Sequence, residues 1–181
     1  MNARSTWFAT WWGGSEHSRS SLRARAYSPA NVLCNPYNGE SASQRAARGR
    51  LGMARDGCVE GVGLDLVVTD TIRRAIQRDD DAVHGWLTES EHRAWETGGA
   101  SMTTLAGRIA AKEAVVKALG TGFNDTVAWQ DVEIFASPSG GPEVRLSGGA
   151  LAAATRIGVS RVLVSITHVD ALAAATAIAV H

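Results

Sequence analysis

The chain has 181 residues, of which 45% are hydrophobic and 20% are charged, a composition that is ordinary for a globular protein. This length accommodates one domain and a tail, and no apolar run approaches the roughly 20 residues of a membrane-spanning helix. Cys34 and Cys58 lack the spacing of a metal site or a disulfide framework. We therefore expect a cytoplasmic protein without a membrane partner.

The net charge of zero conceals two halves of opposite sign. Residues 1–58 contain eight arginines and three acidic residues, whereas residues 59–181 contain ten basic and fifteen acidic residues. The first half lacks helix or strand periodicity, which favours a disordered basic extension in front of a domain at 59–181. We expect a chain that starts at Met53 to have the same activity as the full chain. The alternative is a nucleic-acid-binding arm, whose binding would be salt-sensitive and lost on removal of residues 1–52.

The domain begins with a predicted strand and helix. Residues 61–68 (GVGLDLVV) predict a strand with four apolar side chains on one face and Gly63, Asp65 and Val67 on the other. A helix is predicted from about Asp70. Its arginines are Arg73, Arg74 and Arg78.

Capping and turn signals predict the remaining elements. Thr88 and Glu91 form a capping-box pattern, and Gly120 ends a helix predicted over residues 103–119. Residues 171–180 are Ala-rich and helical by propensity, but the turn-like residues 168–170 favour a strand that folds back on its neighbour. The other predicted segments are strands at 131–135, 143–146 and 161–167 and a helix at 148–156.

The helix at 103–119 carries both lysines of the chain, against sixteen arginines. Lys112 falls within the apolar stripe, with Glu113 beside it and Lys117 about one turn further on. A compact ammonium suits a phosphate as a point charge, which favours a phosphate site. The alternative is that Glu113 and Lys117 form a surface pair while Lys112 extends to solvent. The stripe consists of Leu105, Ile109, Val116 and Leu119.

Asp65 is the unusual residue of the first strand, because aspartate is a poor strand former. Gly61 and Gly63 leave room for a ligand or another backbone to approach. A dinucleotide-binding fingerprint would need glycine at position 66, which is leucine. Taken alone, Asp65 is also compatible with an ordinary residue at the edge of a strand.

The strand and the helix together indicate a metal-phosphate site. Mg²⁺ takes one or two carboxylates and completes its coordination with water and substrate phosphates. Asp65 and Glu113 supply such carboxylates, and a lysine with Arg108 would neutralise the rest of a polyphosphate.

The motifs GVGLDLV at residues 61–67 and LAGRIAAKEAVVKALGTG at 105–122 resemble the holo-acyl-carrier-protein synthase family. The resemblance covers residues 59–181 and departs at Ile109, where an aromatic residue is usual. Residues 1–58 have no counterpart. Further agreement lies in residues 86–91, 141–142 and 165–168.

The resemblance implies an α+β fold and a homotrimer with its sites between subunits. It also implies Mg²⁺-dependent transfer of 4'-phosphopantetheine from coenzyme A to a serine of apo acyl carrier protein. The products would be holo-acyl carrier protein and adenosine 3',5'-bisphosphate, with no nucleic acid involved. Whether the carrier serves fatty-acid or polyketide synthesis stays open.

The resemblance assigns roles to individual residues. Asp65 and Glu113 resemble the Mg²⁺ ligands, and Glu113 and Lys117 resemble the catalytic pair. Either Glu113 or a metal-bound water would take the serine proton. His168 would reach a neighbouring subunit's site. The residues assigned to coenzyme A binding are Arg108, Lys117, Gly120, Thr121, Gly122, Pro142 and His168.

Two related classes of protein are the alternatives. The larger surfactin-type transferases carry Asp-x-Glu in the metal strand, where this chain has Val67, and their Ser-His motif precedes that strand, whereas Thr167 and His168 follow it. Both features favour the small trimeric class. An inactive coenzyme A-binding subunit would be expected to lack a metal ligand, and neither is missing.

Carrier recognition is predicted to need a local basic patch, because acyl carrier proteins and this domain are both acidic. Arg73 and Arg74 follow the metal strand closely and are the best candidates. The alternative is a solvated helix face, partly offset by the acidic residues at 79–81.

Overall fold

The computed structural model describes residues 58–181, so the predicted basic extension lies outside the described residues. The strands are β1 (Val59–Val68), β2 (Val132–Ala136), β3 (Pro142–Leu146), β4 (Arg161–Val169) and β5 (Leu172–Val180). The helices are α1 (Thr69–Arg78), α2 (Ala82–Trp86), α3 (Glu89–Thr97), α4 (Met102–Ala118) and α5 (Gly148–Arg156), with a 3₁₀ turn at Trp129–Asp131.

Two antiparallel sheets form the β part of the domain. β1, β5 and β4 make a three-stranded sheet in that order, and β2 pairs with β3 as a hairpin. α4 packs on one face of the larger sheet and contacts all three of its strands. The predicted α+β class with mainly antiparallel strands is confirmed. Within the described residues, no helix is long and apolar enough to cross a membrane.

β5 is a strand although its composition favours a helix, which confirms the predicted fold-back. It lies between β1 and β4 and pairs with both along its whole length. Its inward residues are small, and the fully buried Ala173, Ala177 and Ala179 leave space for α4 to lie close to the sheet. Tertiary packing and strand pairing therefore override local propensity here.

α4 begins and ends within one residue of the prediction. The Ser101 hydroxyl accepts a hydrogen bond from the Thr104 amide at 3.4 Å. Gly120 follows the helix with φ of 68°, a left-handed conformation that glycine adopts without steric cost. The predicted capping box is also present: the Glu91 amide donates to the Thr88 hydroxyl, and the Thr88 amide donates to the Glu91 carboxylate at 2.8 Å.

The two faces of β1 have opposite surroundings. Gly63 and Val67 are buried against α4. The apolar face is instead exposed, with Leu64 and Leu66 each 57% accessible. The strand therefore buries its glycine-containing face and leaves its most hydrophobic face uncovered in the single chain.

Candidate functional site

The site is built where β1 crosses α4. A Cβ atom at Gly61 would collide with the carbonyl oxygen of Ala118, and one at Gly63 with that of Ala114. Only glycine permits this separation of strand and helix, because the obstructing atoms are backbone. The close approach brings Asp65, two residues further along the strand, beside the charged residues of α4.

Lys117 extends from α4 to the strand. Its ammonium donates to Asp65 Oδ1 at 2.6 Å and to the carbonyl oxygen of Leu64 at 3.2 Å. The Asp65 side chain is only 16% exposed, whereas that of Lys117 is 39% exposed. Asp65 is thus a mid-strand residue in an ion pair, and the interpretation of Lys117 as merely the surface partner of Glu113 is wrong.

Glu113 completes a group of three coupled charges. Burial, and to a smaller extent the negative charge of Asp65, raise the pKa of Glu113, and Lys117 partly opposes them, so that the pKa is about 7. The group therefore holds two carboxylates against one ammonium in a partly desolvated place. Excess negative charge of this kind favours binding of a cation.

The oxygen donors fit Mg²⁺ rather than a metal held wholly by protein ligands. Within residues 58–181 there is no cluster of three or more His, Cys, Asp or Glu side chains suited to a metal. Two carboxylates with access to solvent are what Mg²⁺ uses when water and substrate phosphates supply the remaining ligands. Asp65 and Glu113 meet that description.

Lys112 has a different environment from Lys117, five residues later. Its side chain is completely buried, and its ammonium lies 2.7 Å from Glu91 Oε2. It also donates to the carbonyl oxygens of Trp86 at 2.8 Å and Trp129 at 3.0 Å. Burial lowers the pKa of Lys112, and Glu91 opposes that shift. The interpretation in which Lys112 extends to solvent is wrong.

Arg108 lies one turn before Lys112 and is rotated by about 140° from Glu113 around the helix axis. Burial lowers the pKa of Arg108, and Glu91 opposes this. Its Nη1 atom is buried and has no hydrogen-bond partner among the described residues. An unsatisfied guanidinium nitrogen is costly, so this position favours an anionic ligand.

The model of the 4'-phosphopantetheinyl transferase superfamily matches residues 61–177 of this chain. The chain belongs to this superfamily. Known members are matched along nearly their whole length by about two thirds of this chain. A holo-[acyl-carrier-protein] synthase of Desulforudis audaxviator is 45% identical over 121 residues, which are 66% of this chain and 92% of that protein. Its counterpart in Alkaliphilus oremlandii is 37% identical over 122 residues, 67% of this chain and 99% of that protein.

Solved structures of such synthases have the same fold. The Neisseria meningitidis synthase is 29% identical with a TM-score of 0.63, covering 67% of this chain and 98% of that one. The Helicobacter pylori synthase in complex with coenzyme A is 25% identical with a TM-score of 0.58. The match covers 65% of this chain and 98% of that one. The predicted family, fold and enzyme class are thereby confirmed.

The remaining transferase residues predicted from the sequence lie at separate places in the chain. The loop Gly120–Gly122 follows α4 directly, at the same end of the helix as Lys117. Pro142 begins β3 opposite Ala136. His168 is exposed near the end of the edge strand β4, two strands from β1. The single chain thus brings Asp65, Glu113 and Lys117 together, and the loop lies close to them along α4.

Sequence reasoning missed two features next to this site. Glu91 was identified only as a capping residue, but its Oε1 atom also accepts from the Ile134 amide at 2.9 Å. Phe123 and Trp129 stack with ring centroids 3.9 Å apart. The sequence signal for the role of Glu91 was a lysine within an apolar helix stripe, which implies a buried acceptor in the fold.

Proposed function

We propose that this chain transfers 4'-phosphopantetheine from coenzyme A to a serine of apo acyl carrier protein. The observation that carries the proposal is the convergence of Asp65, Glu113 and Lys117 from two elements that the superfamily model matches. The names of the relatives, and the coenzyme A bound to the Helicobacter pylori synthase, support the same donor and acceptor.

In the proposed reaction a bond forms between the serine oxygen and the β-phosphorus of coenzyme A. The bond from that phosphorus to the bridging oxygen breaks, and adenosine 3',5'-bisphosphate leaves with the electron pair. The serine proton passes to a base. Phosphoryl chemistry of this kind depends mainly on positioning and on neutralisation of charge.

Asp65 and Glu113 would hold Mg²⁺, and the donor set fits that ion. When bound, Mg²⁺ would neutralise the pyrophosphate and draw electron density from the phosphorus under attack. Lys117 would then direct its ammonium to the leaving phosphate, since its side chain is the most accessible of the three.

Coenzyme A would lie along the end of α4 that carries Lys117. The positive φ of Gly120 turns the chain sharply away from the helix, so backbone amides of the loop Gly120–Gly122 can approach the ligand. Arg108, with its unsatisfied Nη1, would bind an anionic part of the nucleotide. Pro142 and His168 remain assignments from the family resemblance.

Self-association into a homotrimer is part of the proposal. The outer sheet face, defined as the side of β1, β5 and β4 turned away from α4, exposes large apolar side chains in three adjacent strands. A contiguous apolar surface of this kind is typical of a protein interface. Its exposed members are Val62, Leu64, Leu66, Val68, Leu163, Val169 and Leu172.

His168 lies on the opposite side of the sheet from these apolar residues. The edge strand β4 carries His168 and contributes Leu163 and Val169 to the outer sheet face. His168 is paired with the fully buried Ala173 and therefore lies on the α4 side of β4, so its assignment to a neighbouring subunit's site rests on the family resemblance alone. The cytoplasmic location expected from the sequence stays a prediction.

Intact-mass analysis tests the proposed function directly. Candidate apo-carrier proteins are incubated with the full chain, coenzyme A and Mg²⁺, and a mass gain of one phosphopantetheine is expected. Omission of Mg²⁺ with added chelator provides the matched control and should abolish the gain. Binding of coenzyme A without transfer to any carrier would instead support the inactive-subunit alternative.

A further inference from the structure

Lys112 has no role in the proposed reaction, yet it is the most completely buried charged residue in the described part of the chain. An ammonium has three protons to donate. Glu91, Trp86 and Trp129 supply three acceptors, at 2.7, 2.8 and 3.0 Å. No proton is left for a substrate phosphate, so Lys112 does not bind coenzyme A directly.

The Glu91 carboxylate is equally occupied. Oε2 accepts from the Thr88 amide at 2.8 Å in addition to Lys112, and Oε1 accepts from the Ile134 amide at 2.9 Å. Glu91 is 2% exposed. The pair therefore joins α4 to the start of α3, to β2 and to the 3₁₀ turn through fully satisfied bonds, an arrangement that fixes geometry as well as contributing energy.

The bond to Trp129 has a consequence for the loop Gly120–Gly122. The Trp129 ring stacks on Phe123, which directly follows this loop. The start of the loop is held by α4 itself, because the Thr121 amide donates to the carbonyl oxygen of Val116 at 2.9 Å. Lys112 thus holds the far end of the loop to the same helix that holds the near end.

We propose that Lys112, paired with Glu91, is a positioning residue of the transferase that sets the loop Gly120–Gly122 against Lys117 for coenzyme A. The inference rests on the proposed function, since that loop matters only if coenzyme A lies along it. A displacement of binding groups by about 1 Å can cost on the order of 100-fold in rate. A buried methionine has nearly the volume of lysine and removes only the ammonium.

The test compares Lys112→Met with Val115→Ala in the full chain. Val115 is fully buried on the same helix, and its side chain has no polar group. Coenzyme A affinity is measured by calorimetry, and kcat and both KM values are measured with an apo-carrier protein. We expect Lys112→Met to raise the Kd and KM for coenzyme A about 10-fold or more. The KM for the carrier should change less than about 2-fold, and Val115→Ala should change neither beyond its loss of stability.

The double variant Lys112→Met with Glu91→Gln removes both charges of the pair, so that neither is left buried without its partner, while Arg108 loses the neighbouring Glu91 charge. It should show the same coenzyme A defect as Lys112→Met, since two residues that act as one unit are not additive. Normal affinity for coenzyme A in the folded single or double variant overturns the inference. So does a loss of kcat at unchanged coenzyme A affinity.

The two proposals fail in distinguishable ways. A wild-type chain that binds coenzyme A but modifies no carrier overturns the proposed function. Calorimetry can then still measure whether Lys112→Met weakens the binding of coenzyme A. An active wild type with an unaffected Lys112→Met variant overturns only the positioning role. A wild type that neither binds nor transfers overturns both.

Discussion

Consecutive residues of α4 have opposite electrostatic surroundings. Lys112 is buried with a carboxylate that cancels its charge, whereas Glu113 faces a second carboxylate that opposes ionisation. Successive side chains of a helix point about 100° apart. Lys112 and Glu113 therefore contact different parts of the fold, and the difference in their surroundings arises from those neighbours. The Lys112–Glu91 pair carries no net charge, whereas Asp65 and Glu113 together outnumber the single ammonium of Lys117, and this excess negative charge favours a cation.

Removal of either proposed metal ligand should abolish transfer without unfolding the chain. Asp65→Ala and Glu113→Ala each remove one of the two proposed carboxylate ligands. Mg²⁺ is usually bound through only one or two protein carboxylates, so the loss of one should weaken its binding strongly. Initial rates across a Mg²⁺ series measure the effect, and circular dichroism measures the fold. Asp80→Ala, which removes an exposed carboxylate between α1 and α2, is the control and should be normal. A near-normal rate for either variant at low Mg²⁺ would refute the assignment.

The stability of the metal-free protein should depend on pH through Glu113. Because its pKa rises from 4.5 when unfolded to about 7 when folded, the folded state holds the proton more tightly between these values. The contribution of Glu113 to the free energy of unfolding is therefore most favourable below pH 4.5 and falls as the pH rises to 7.

Glu113→Gln should remove this dependence. Above pH 7 and without divalent cations, we expect the variant to exceed wild type in free energy of unfolding by about 1–2 kcal/mol, after allowance for solvent screening. Urea unfolding at pH 5 and pH 8 measures the difference. Added Mg²⁺ should narrow it by stabilising only wild type. Parallel pH profiles for the two proteins would show that Glu113 is not perturbed.

At the scale of elements, the crossing of β1 and α4 creates the site. The glycines of β1 set how closely the strand approaches the helix, and the alanines of β5 allow α4 to lie flat on the sheet. Asp65, Glu113 and Lys117 thus lie on a strand and a helix, not on loops. This arrangement gives precise positioning of charges.

Gly63→Ala should therefore impair both stability and activity. The new methyl group would collide with the backbone of Ala114, and a backbone atom cannot rotate away. We expect a loss of about 1–3 kcal/mol in the free energy of unfolding and a lower kcat in the folded fraction. Gly85→Ala is the matched control, because no atom lies within 4 Å of a Cβ there. Equal stability of the two variants would show that the close approach can relax.

α1 carries the proposed carrier-docking patch. Arg73 and Arg74 are exposed, and both pair with Asp70, at 3.1 and 2.6 Å. Reversing both to glutamate should raise the KM for acyl carrier protein about 10-fold or more and flatten the salt dependence of the rate, because acidic partners are steered by local charge. The KM for coenzyme A should stay nearly unchanged.

Arg93→Glu provides the control for that experiment. Arg93 is as exposed as Arg74 and also pairs with an acidic residue, but it lies on α3. Its reversal should leave the carrier KM within about 2-fold of wild type. If the α1 variant affected both substrates equally, or neither, the docking surface would lie elsewhere.

At the scale of the whole molecule, we expect the outer sheet face to form the interface of the proposed trimer. Leu66→Lys places a charge in the middle of this apolar surface and should convert a trimer to monomers, because burial of an unpaired charge is costly. Sedimentation velocity measures the mass, and activity per chain should fall if neighbouring subunits complete the site. Leu151→Lys, at a similarly exposed leucine on α5, should leave the assembly intact. An unchanged mass for Leu66→Lys would contradict the proposed interface.

The sequence determined the elements and the two motifs, because both depend on residues close together in the chain. The capping box, the ends of α4 and the antiparallel turn before β5 follow from local backbone chemistry. Asp65, Glu113 and Lys117 were identified for the same reason. Asp65 is an unusual residue for a strand, whereas Glu113 and Lys117 are ordinary helix residues whose roles came from the family resemblance.

Only the tertiary structure decided which groups surround each lysine and which face of β1 is buried. Lys117 meets Asp65 across 52 residues of sequence, and Lys112 meets Trp86 across 26 residues. The two lysines have the same intrinsic chemistry, so the difference in their roles comes from the groups that each one contacts. The alternation of residues in β1 likewise predicts an apolar face but does not show which part of the fold covers it. Burial is a property of packed neighbours, and neighbours distant in sequence are fixed only when the chain folds.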